Sequence, residues 1–408
     1  IKSGSILNIF AIQKNLIRIE DLYKEKNYHN VSVDYEIKEL GNNQGDLLFL
    51  IEEGEKIKIE KIVFEGNTVY TKKKLLKVIK TSERGFWSWI TSSGELDKEE
   101  LNQDIIKLRS FYQNNGFIEA KVAEPIIEYQ ADMIYITIKI DEGRKFKVGK
   151  VTITGDLIFP EIDLMENLKI TLNEFYSREV VRNDVVTITD IYADEGYAYA
   201  DIYPSINKDS ENLEVNIAYV IKRGKKVYFE SITITGNNKT RDKVIRRELR
   251  VYEQELFSGT RLKRGVRNLY RLDFFQDVKV DTVEGSADDK ILLKIDVIEK
   301  PTGNFMFGGG YSSVDYGYLT ASISQNNLFG RGQVLELKTT VSAKSSTYSL
   351  SFTEPYLFDK AISAGFDLYN QNRDYDDYDK SSIGGRLRLG TRLAEYTKLF
   401  WSYSYDVS

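Results

Sequence analysis

The sequence predicts two architectures in series: α+β modules of βααββ order repeated in tandem, then antiparallel strands of the kind that form a transmembrane β-barrel. Three observations predict it. A glycine-bounded segment recurs three times. A tyrosine-led anchor recurs four times at a matching interval. After Pro301 helical periodicity stops and alternation of apolar and polar residues takes over.

The first recurring segment reads EEGEKIKIEKIVFEGN from Glu52, DEGRKFKVGKVTITGD from Asp141 and KRGKKVYFESITITGN from Lys222. Each copy holds two glycines twelve positions apart: Gly54 and Gly66, Gly143 and Gly155, Gly224 and Gly236. The interval is 89 residues from Gly54 to Gly143 and 81 from Gly143 to Gly224. The second anchor carries Tyr23, Tyr112, Tyr192 and Tyr270, spaced by 89, 80 and 78 residues. Two independent anchors therefore agree on one period.

Within one copy, Ile57–Phe64 alternates as a strand and ends at the turn pair Gly66-Asn67. Thr71 stands at an N-cap position ahead of Leu75, Leu76 and Ile79 at helical spacing. Leu101, Ile105, Leu108 and Tyr112 mark a second amphipathic helix, closed by Asn115-Gly116. Strands follow at Phe117–Val122 and Met133–Ile140. Two helices can cover one face of such a sheet, which leaves at least one edge open. The first copy holds only a helix (Leu16–Lys26) and two strands (Asn30–Ile37, Asp46–Glu52), so the natural chain is expected to extend upstream of Ile1.

Beyond Pro301 the expected strands are Asn304–Tyr311, Gly317–Gln325, Val334–Ser342, Tyr348–Glu354, Ile362–Asn372, Ser382–Thr391 and Lys398–Tyr405. Turns on one side are Asn326–Gln333, Pro355–Ala361 and Leu393–Tyr396. Those on the other are Ser312–Tyr316, Lys344–Thr347 and Arg373–Lys380. Strands of roughly ten residues with dyad alternation and many aromatics carry the signature of an outer-membrane barrel, with a soluble sheet as the plain alternative.

Composition narrows the function. The 408 residues carry a net charge of −5, which argues against a polycationic nucleic-acid clamp. Cysteine is absent, which excludes disulfide scaffolds, thiolate zinc sites and cysteine nucleophiles. The single histidine, His29, excludes a histidine metal cluster and is given no role. No apolar run approaches the ~18 residues of a membrane helix. Tyrosine is frequent at 27 and proline scarce at 5, which suits extensive sheet. No metal or cofactor is expected, and no enzymatic activity: carboxylates are plentiful but none is tied to a recognisable site, with carboxylate-only glycoside hydrolysis left open.

The βααββ copies with their GN turns resemble POTRA domains. The last copy followed by PTGNFMFGGGYSS, NNLFGRGQ and EPYLFD resembles the junction and first strands of outer-membrane barrel-assembly factors of the BamA type. GNNKTRDKVIRREL from Gly236 and NLYRLDFFQDVKV from Asn268 are similar to the final POTRA of that family, and GFWSWITSSGELDKEEL from Gly85 to the aromatic insert of its third. The resemblance implies a partial POTRA over 1–54, POTRAs over 55–144, 145–225 and 226–301, and an incomplete barrel of six or seven strands over 302–408. It implies non-enzymatic insertion of β-barrel proteins into the outer membrane of a Gram-negative-type bacterium, with the repeats in the periplasm. The alternative is a two-partner-secretion or translocation-and-assembly transporter, whose relatives have fewer POTRAs. The implied partners are unfolded barrel clients, accessory lipoproteins and outer-membrane lipid.

Three sets of residues follow as candidates. The first strand after Pro301 (Asn304, Phe305, Met306, Phe307, Gly308, Gly309, Gly310 and Tyr311) is the candidate lateral gate at which clients pair, because its three glycines weaken it. The competing explanation is that these glycines only relieve crowding. The edge strand Phe117, Ile118, Glu119, Ala120, Lys121 and Val122 is the candidate client-binding edge, with Ala198–Tyr203 and Val278–Val283 as counterparts. Against that role, its charges and Pro125 are devices that protect an edge. Arg246, Arg247, Arg250 and Glu253 are candidate contacts for an accessory lipoprotein, or else a solvated helix face. Asp374–Asp379 lacks the glycine and distal glutamate of a calcium loop and reads as an exposed tip. Gly330-Arg331-Gly332 reads as a turn, and Phe86, Trp87 and Trp89 as packing the repeat core by default, or else a repeat interface.

Overall fold

The third strand of each complete repeat lies between its first and its second, and this order decides which backbone is left open. The computed structural model describes residues 6–28, 30–41, 44–54, 56–86, 88, 91, 93–130, 133–375, 377–394 and 397–408. The chain divides into two compact units, Ile1–Ile188 with Ile202–Ile221, and Thr189–Asp201 with Lys222–Ser408.

The first unit opens with helix α1 (Ile9–Glu25) and the antiparallel pair β1 (Ser32–Gly41) and β2 (Gln44–Glu52). The first complete repeat follows: β3 (Lys58–Glu65), α2 (Lys72–Leu75), α3 (Lys98–Gln113), β4 (Lys121–Val122), β5 (Ile126–Gln130) and β6 (Met133–Asp141). Strand β6 pairs parallel with β3 and antiparallel with β4 and β5. The two helices supply the crossover that a parallel connection requires. The next repeat has β7 (Lys147–Gly155), α4 (Glu161–Met165), α5 (Arg178–Asp194), β8 (Asp201–Asp209) and β9 (Glu214–Lys222), in the sheet order β7-β9-β8.

The apolar spacing read from the sequence is the buried face. Leu101, Ile105, Leu108 and Tyr112 of α3 are buried with Ile134, Ile136 and Ile138 of β6 in one hydrophobic cluster. Asp97 caps α3 by accepting from the Glu100 amide at 3.0 Å. Gly66, Gly155 and Gly236 share one reason for their residue type. Each has a positive φ (+86°, +100° and +83°), and a Cβ there would strike the carbonyl of Ile140, Ile221 or Val297. The period of the glycines thus marks the place where each first strand turns off against the end of its third.

Four expectations need correction. The first helix is only one turn: Thr71 sits at its N-cap but makes no side-chain bond, and three lysines crowd the positive end of the helix dipole. Phe117–Ala120 is a tight turn rather than strand, with the Phe117 amide bonded to the Tyr112 carbonyl and the Ala120 amide to that of Phe117. Pairing is limited to Lys121–Val122 and resumes at Ile126, past Pro125, which has no N–H to donate. The expected strand at Ala198–Tyr203 likewise starts only at Asp201. Phe86 is exposed rather than core. His29, Trp87 and Trp89 lie outside the described residues, as do parts of the expected tips at Leu393–Tyr396 and Asp374–Asp379.

In the second unit the last repeat comprises β10 (Tyr228–Thr235), α6 (Asp242–Leu249), α7 (Gly259–Leu272), β11 (Phe275–Glu284) and β12 (Lys290–Glu299), in the order β10-β12-β11. A seven-stranded antiparallel meander follows: β13 (Gly303–Ser312), β14 (Tyr316–Leu328), β15 (Gln333–Ser342), β16 (Ser345–Glu354), β17 (Ile362–Asp374), β18 (Asp379–Ala394) and β19 (Thr397–Val407). Each begins within three residues of its expected start. No helix of the described residues is long and apolar enough to cross a membrane.

The meander has two chemically distinct faces. Directly paired residues share a face, so Ile323–Leu337–Leu350–Leu368 forms one apolar row across four strands. Phe352–Phe366–Leu387–Tyr403 forms another. The opposite face carries Glu336, Asp367, Arg386 and Arg388, with Arg388 paired to Asp367 at 2.8 Å. The apolar rows stay open: Ile323 is 56% exposed and Leu387 57%. An exposed apolar sheet face of this breadth is what a lipid-facing wall requires.

The buried Asp104 gives a test of repeat stability. Its carboxylate accepts from the amides of Lys80 at 3.0 Å and Thr81 at 2.7 Å and pairs with Lys107 at 2.6 Å. Burial alone would raise its pKa, but Lys107 and the amides outweigh burial and hold it below the ordinary value. Its contribution is therefore complete at neutral pH and is lost as pH falls below the usual aspartate range near ~4. Asp104→Ala leaves two buried amides without acceptors and is expected to cost about 2–4 kcal/mol. Hydrogen exchange at Lys80 and Thr81 reads that loss; unchanged protection would refute it.

Candidate functional site

A strand at the rim of a sheet presents unpaired N–H and C=O groups, and these edges are the candidate site. Strand β13 has a single neighbour, β14, in unbroken register from Gly303↔Gln325 to Ser312↔Tyr316. Its outer backbone row is open along the segment expected to be the gate. Phe305, Phe307 and Tyr311 extend the apolar face and are 70%, 66% and 76% exposed. Asn304, Met306, Gly308 and Gly310 alternate to the polar face.

The structure distinguishes the two explanations of the glycine triplet residue by residue. A Cβ at Gly308 would meet nothing within 4 Å, so crowding does not require glycine there. At Gly309 it would come to 3.0 Å from the Tyr318 carbonyl, and at Gly310 to 2.7 Å from the Tyr318 hydroxyl. Crowding accounts for Gly309, and the end of one tyrosine ring for Gly310. Gly308 is left as a position where crowding does not demand glycine.

The repeats have two edges each, and the structure treats them differently. Sequence reasoning singled out only the second strand; the first strand is also at the rim. That first edge is covered by the segment between the two helices. In the first complete repeat the Ile59 amide donates to Gly94, the Arg84 amide to Ile59, and the Ile62 amide to the Glu83 carboxylate. In the last repeat the Phe229 amide donates to Glu255, the Gln254 amide to Phe229, and the Ile232 amide to the Glu253 carboxylate. The signal for this cover was the carboxylate that follows the first helix in these two repeats; in the middle repeat Glu161, which opens α4, accepts from the Ile153 amide instead. The second strand carries no such inter-helix cover; on β11 the Tyr270 hydroxyl engages the amide and carbonyl of Val278, so the open edges are Ile126–Gln130, Asp201–Asp209 and residues 279–284.

Within the segment Phe117–Val122, the side chains of Phe117, Ala120 and Val122 are buried and belong to the core. Ile118 and Glu119 lie in the turn, and Glu119 pairs with Lys208 of β8 at 2.8 Å. Lys121 is exposed on the two-residue strand. These residues do not form one continuous pairing edge; the longer open stretch lies past Pro125.

The charged group on the last repeat is also dispersed. Arg246 bonds to Asp242 at 2.7 Å and reaches Glu253 at 3.4 Å, and Glu253 covers the β10 edge. The Arg247 guanidinium stacks on the Tyr356 ring, 3.9 Å from its centroid, in the turn between β16 and β17. Arg250 ends α6 in the left-handed conformation. Sequence reasoning missed Tyr356 and Asn327, which read only as turn residues and which contact the last repeat.

Comparison with known proteins agrees with this architecture. Residues 57–143, 146–224 and 227–300 match the POTRA family (surface antigen variable number repeat), and residues 327–408 match the Omp85 superfamily domain. The chain is 31% identical over 410 residues to the outer membrane protein assembly factor BamA of Nitratidesulfovibrio vulgaris, covering 99% of this chain and 52% of that one. It is 32% identical over 403 residues to BamA of Neisseria meningitidis serogroup B, covering 96% and 51%. The chain thus spans about half the length of the curated relatives it matches. Its fold is similar to that of BamA from Haemophilus ducreyi lacking POTRA domains 1–3, with a TM-score of 0.56 and 24% identity over 64% of this chain and 51% of that one. It is also similar to Haemophilus influenzae BamA POTRA3–5, with a TM-score of 0.52 and 19% identity over 60% and 96%.

Gly308 yields the direct test of strand weakness. Glycine in a strand interior costs roughly 0.5–1 kcal/mol relative to alanine. Gly308→Ala, which fits without a clash, is expected to slow amide exchange along the β13–β14 ladder by ~2- to 5-fold. Exchange as fast as in the wild type would show that the glycine does not weaken the strand.

Proposed function

Because the chain belongs to the POTRA family, we propose that it serves the assembly and insertion of β-barrel proteins into the outer membrane, by main-chain pairing and without covalent chemistry. In this reading its repeats stand in the periplasm of a Gram-negative-type bacterium and its meander forms part of a lipid-embedded wall. The carrying observation is β13: a rim strand with one neighbour, an apolar face turned outward and a glycine that packing does not demand.

The physical obstacle for a barrel client is pairing its strands while it brings polar backbone into hydrocarbon, where each unpaired group is costly. A strand that offers free donors and acceptors at the membrane lets the client form its first ladder before it is surrounded by lipid. A weak strand does this best, because its own pairing is the easiest to exchange. The open second-strand edges at Ile126–Gln130, Asp201–Asp209 and residues 279–284 would hold clients earlier by the same backbone chemistry, which tolerates many sequences.

The partners in this reading are unfolded barrel clients, outer-membrane lipid against the apolar rows, and accessory lipoproteins. Arg250 is the member of the candidate charged group best placed for such a lipoprotein, since Arg246, Arg247 and Glu253 have structural partners. The names of the curated relatives support the assembly reading over a secretion or translocation transporter.

The test is to replace Gly308, Gly309 and Gly310 with Val in the full-length protein, reconstitute it in lipid vesicles and follow the folding of an unfolded barrel client. Slower client insertion is the expected result. Insertion at the wild-type rate would remove β13 as the pairing strand.

A further inference from the structure

The last repeat and the meander meet within one compact unit, and their contacts fall into two separate groups. The first is a buried hydrogen-bond chain. The Glu299 carboxylate accepts from the amides of Lys239 at 2.8 Å and Thr240 at 2.6 Å. Burial alone would raise the pKa of Glu299, but its bonds from Thr240 and Lys239 hold it below the ordinary value. The Thr240 hydroxyl in turn accepts from the Asn327 amide nitrogen at 2.8 Å, and the Asn327 oxygen accepts from the Gly332 amide at 2.8 Å. Thr240 and Asn327 are only 2% and 7% exposed. The Arg241 amide donates to the Gly330 carbonyl at 2.9 Å. Gly330 has a φ of +68°, and a Cβ there would collide with the Lys239 carbonyl, so the turn between β14 and β15 is shaped to the last repeat.

The second group is one turn further along the sheet. Arg247 stacks on Tyr356, whose hydroxyl donates to Glu248 at 2.8 Å. Burial and the Glu248 carboxylate push the Tyr356 phenol up to about 12, so it remains a donor throughout the physiological range. The exposed pair Lys243–Asp359, at 2.8 Å, lies beside it and adds little.

We propose that these two clamps fix the last repeat to strands β14–β17 as a single rigid body, with β13 left outside it. One attachment would act as a hinge. A second attachment on a different turn, together with the covalent link at Pro301, removes the remaining rotations. Among the described residues no hydrogen bond or ion pair of either clamp ends on β13, which is held by its ladder to β14 and, at its approach, by bonds from the Lys300 amide to Phe274, the Asn326 amide to Thr302 and the Thr302 hydroxyl to Gln325. The rim strand can therefore exchange partners without displacing the repeat. The inference goes beyond the insertion reading, and its readout is a distance, so the two stand or fall separately.

These 408 residues hold no cysteine, so within them each introduced cysteine is a unique label site, and any cysteine elsewhere in the full-length protein is first replaced by serine. Labels at Asp281→Cys on the last repeat and Asp379→Cys on the meander, in the full-length protein in lipid, report their separation by pulsed electron resonance. One narrow distance distribution is expected. Asn327→Ala with Tyr356→Ala should abolish the narrow peak. The milder pair Thr240→Val with Tyr356→Phe, which nearly preserves side-chain volume, should broaden it less. Lys225→Ala, which breaks an exposed pair elsewhere on the repeat, should leave it unchanged. A broad distribution in the wild type overturns the proposal, as does a peak equally narrow in both double variants.

Discussion

The amides and carbonyls of a strand point alternately to its two sides and each demands a partner there, and the arrangement of this protein follows from where that demand is met and where it is not. In each complete repeat the third strand occupies the centre and is satisfied on both sides. The first strand is satisfied on its outer side by the inter-helix segment and a carboxylate such as Glu83 or Glu253. The second strand keeps an open row, interrupted on β11 where the Tyr270 hydroxyl engages Val278. In the meander the same accounting leaves β13 and β19, the two rim strands, with one neighbour each. Free main-chain groups are thus confined to a few defined rims.

Carboxylates perform much of the local work in the repeats, and they perform it at recurring places. Asp104 and Asp184 are both buried on the second helix, eight residues before Tyr112 and Tyr192, and each receives two backbone amides from the segment after the first helix. Glu142 and Glu299 each receive amides from the turn that follows the glycine of the first strand. The last repeat departs from the first of these patterns. It has no acid at the position of Asp104, where Leu262 stands; three residues further on, Gly265 lets α7 approach the backbone of Leu249, and Asn268 donates to the Glu248 carbonyl. Close helix packing replaces a charged cap in the one repeat that is joined to the meander.

The joint itself shows why turns are hard to read. NNLFGRGQ and PYLFD carry the usual turn residues, and as turns they were legible from composition alone. Their second role was not. Asn327 and Tyr356 bond to residues 87 and 108 positions away, and no local pattern encodes a partner at that distance. The same limit explains the misplaced edge at Phe117–Val122. Alternation suggested a strand, but Phe117, Ala120 and Val122 are drawn into the core beneath α3 and the chain turns instead of pairing. It also explains Arg247, which by sequence belonged to a charged helix surface and in the fold lies against a ring from the sheet.

By itself the sequence determined the repeat period, the βααββ order, the buried face of α3 and the positions of all seven meander strands. Each of these is written in short-range periodicity and in glycines that the backbone conformation demands. The tertiary structure decided which edges remain open, which charges are engaged in structural work, and that the last repeat grips two turns of the meander. Those outcomes depend on groups far apart in the chain satisfying one another's hydrogen bonds, and only the folded arrangement brings them within reach.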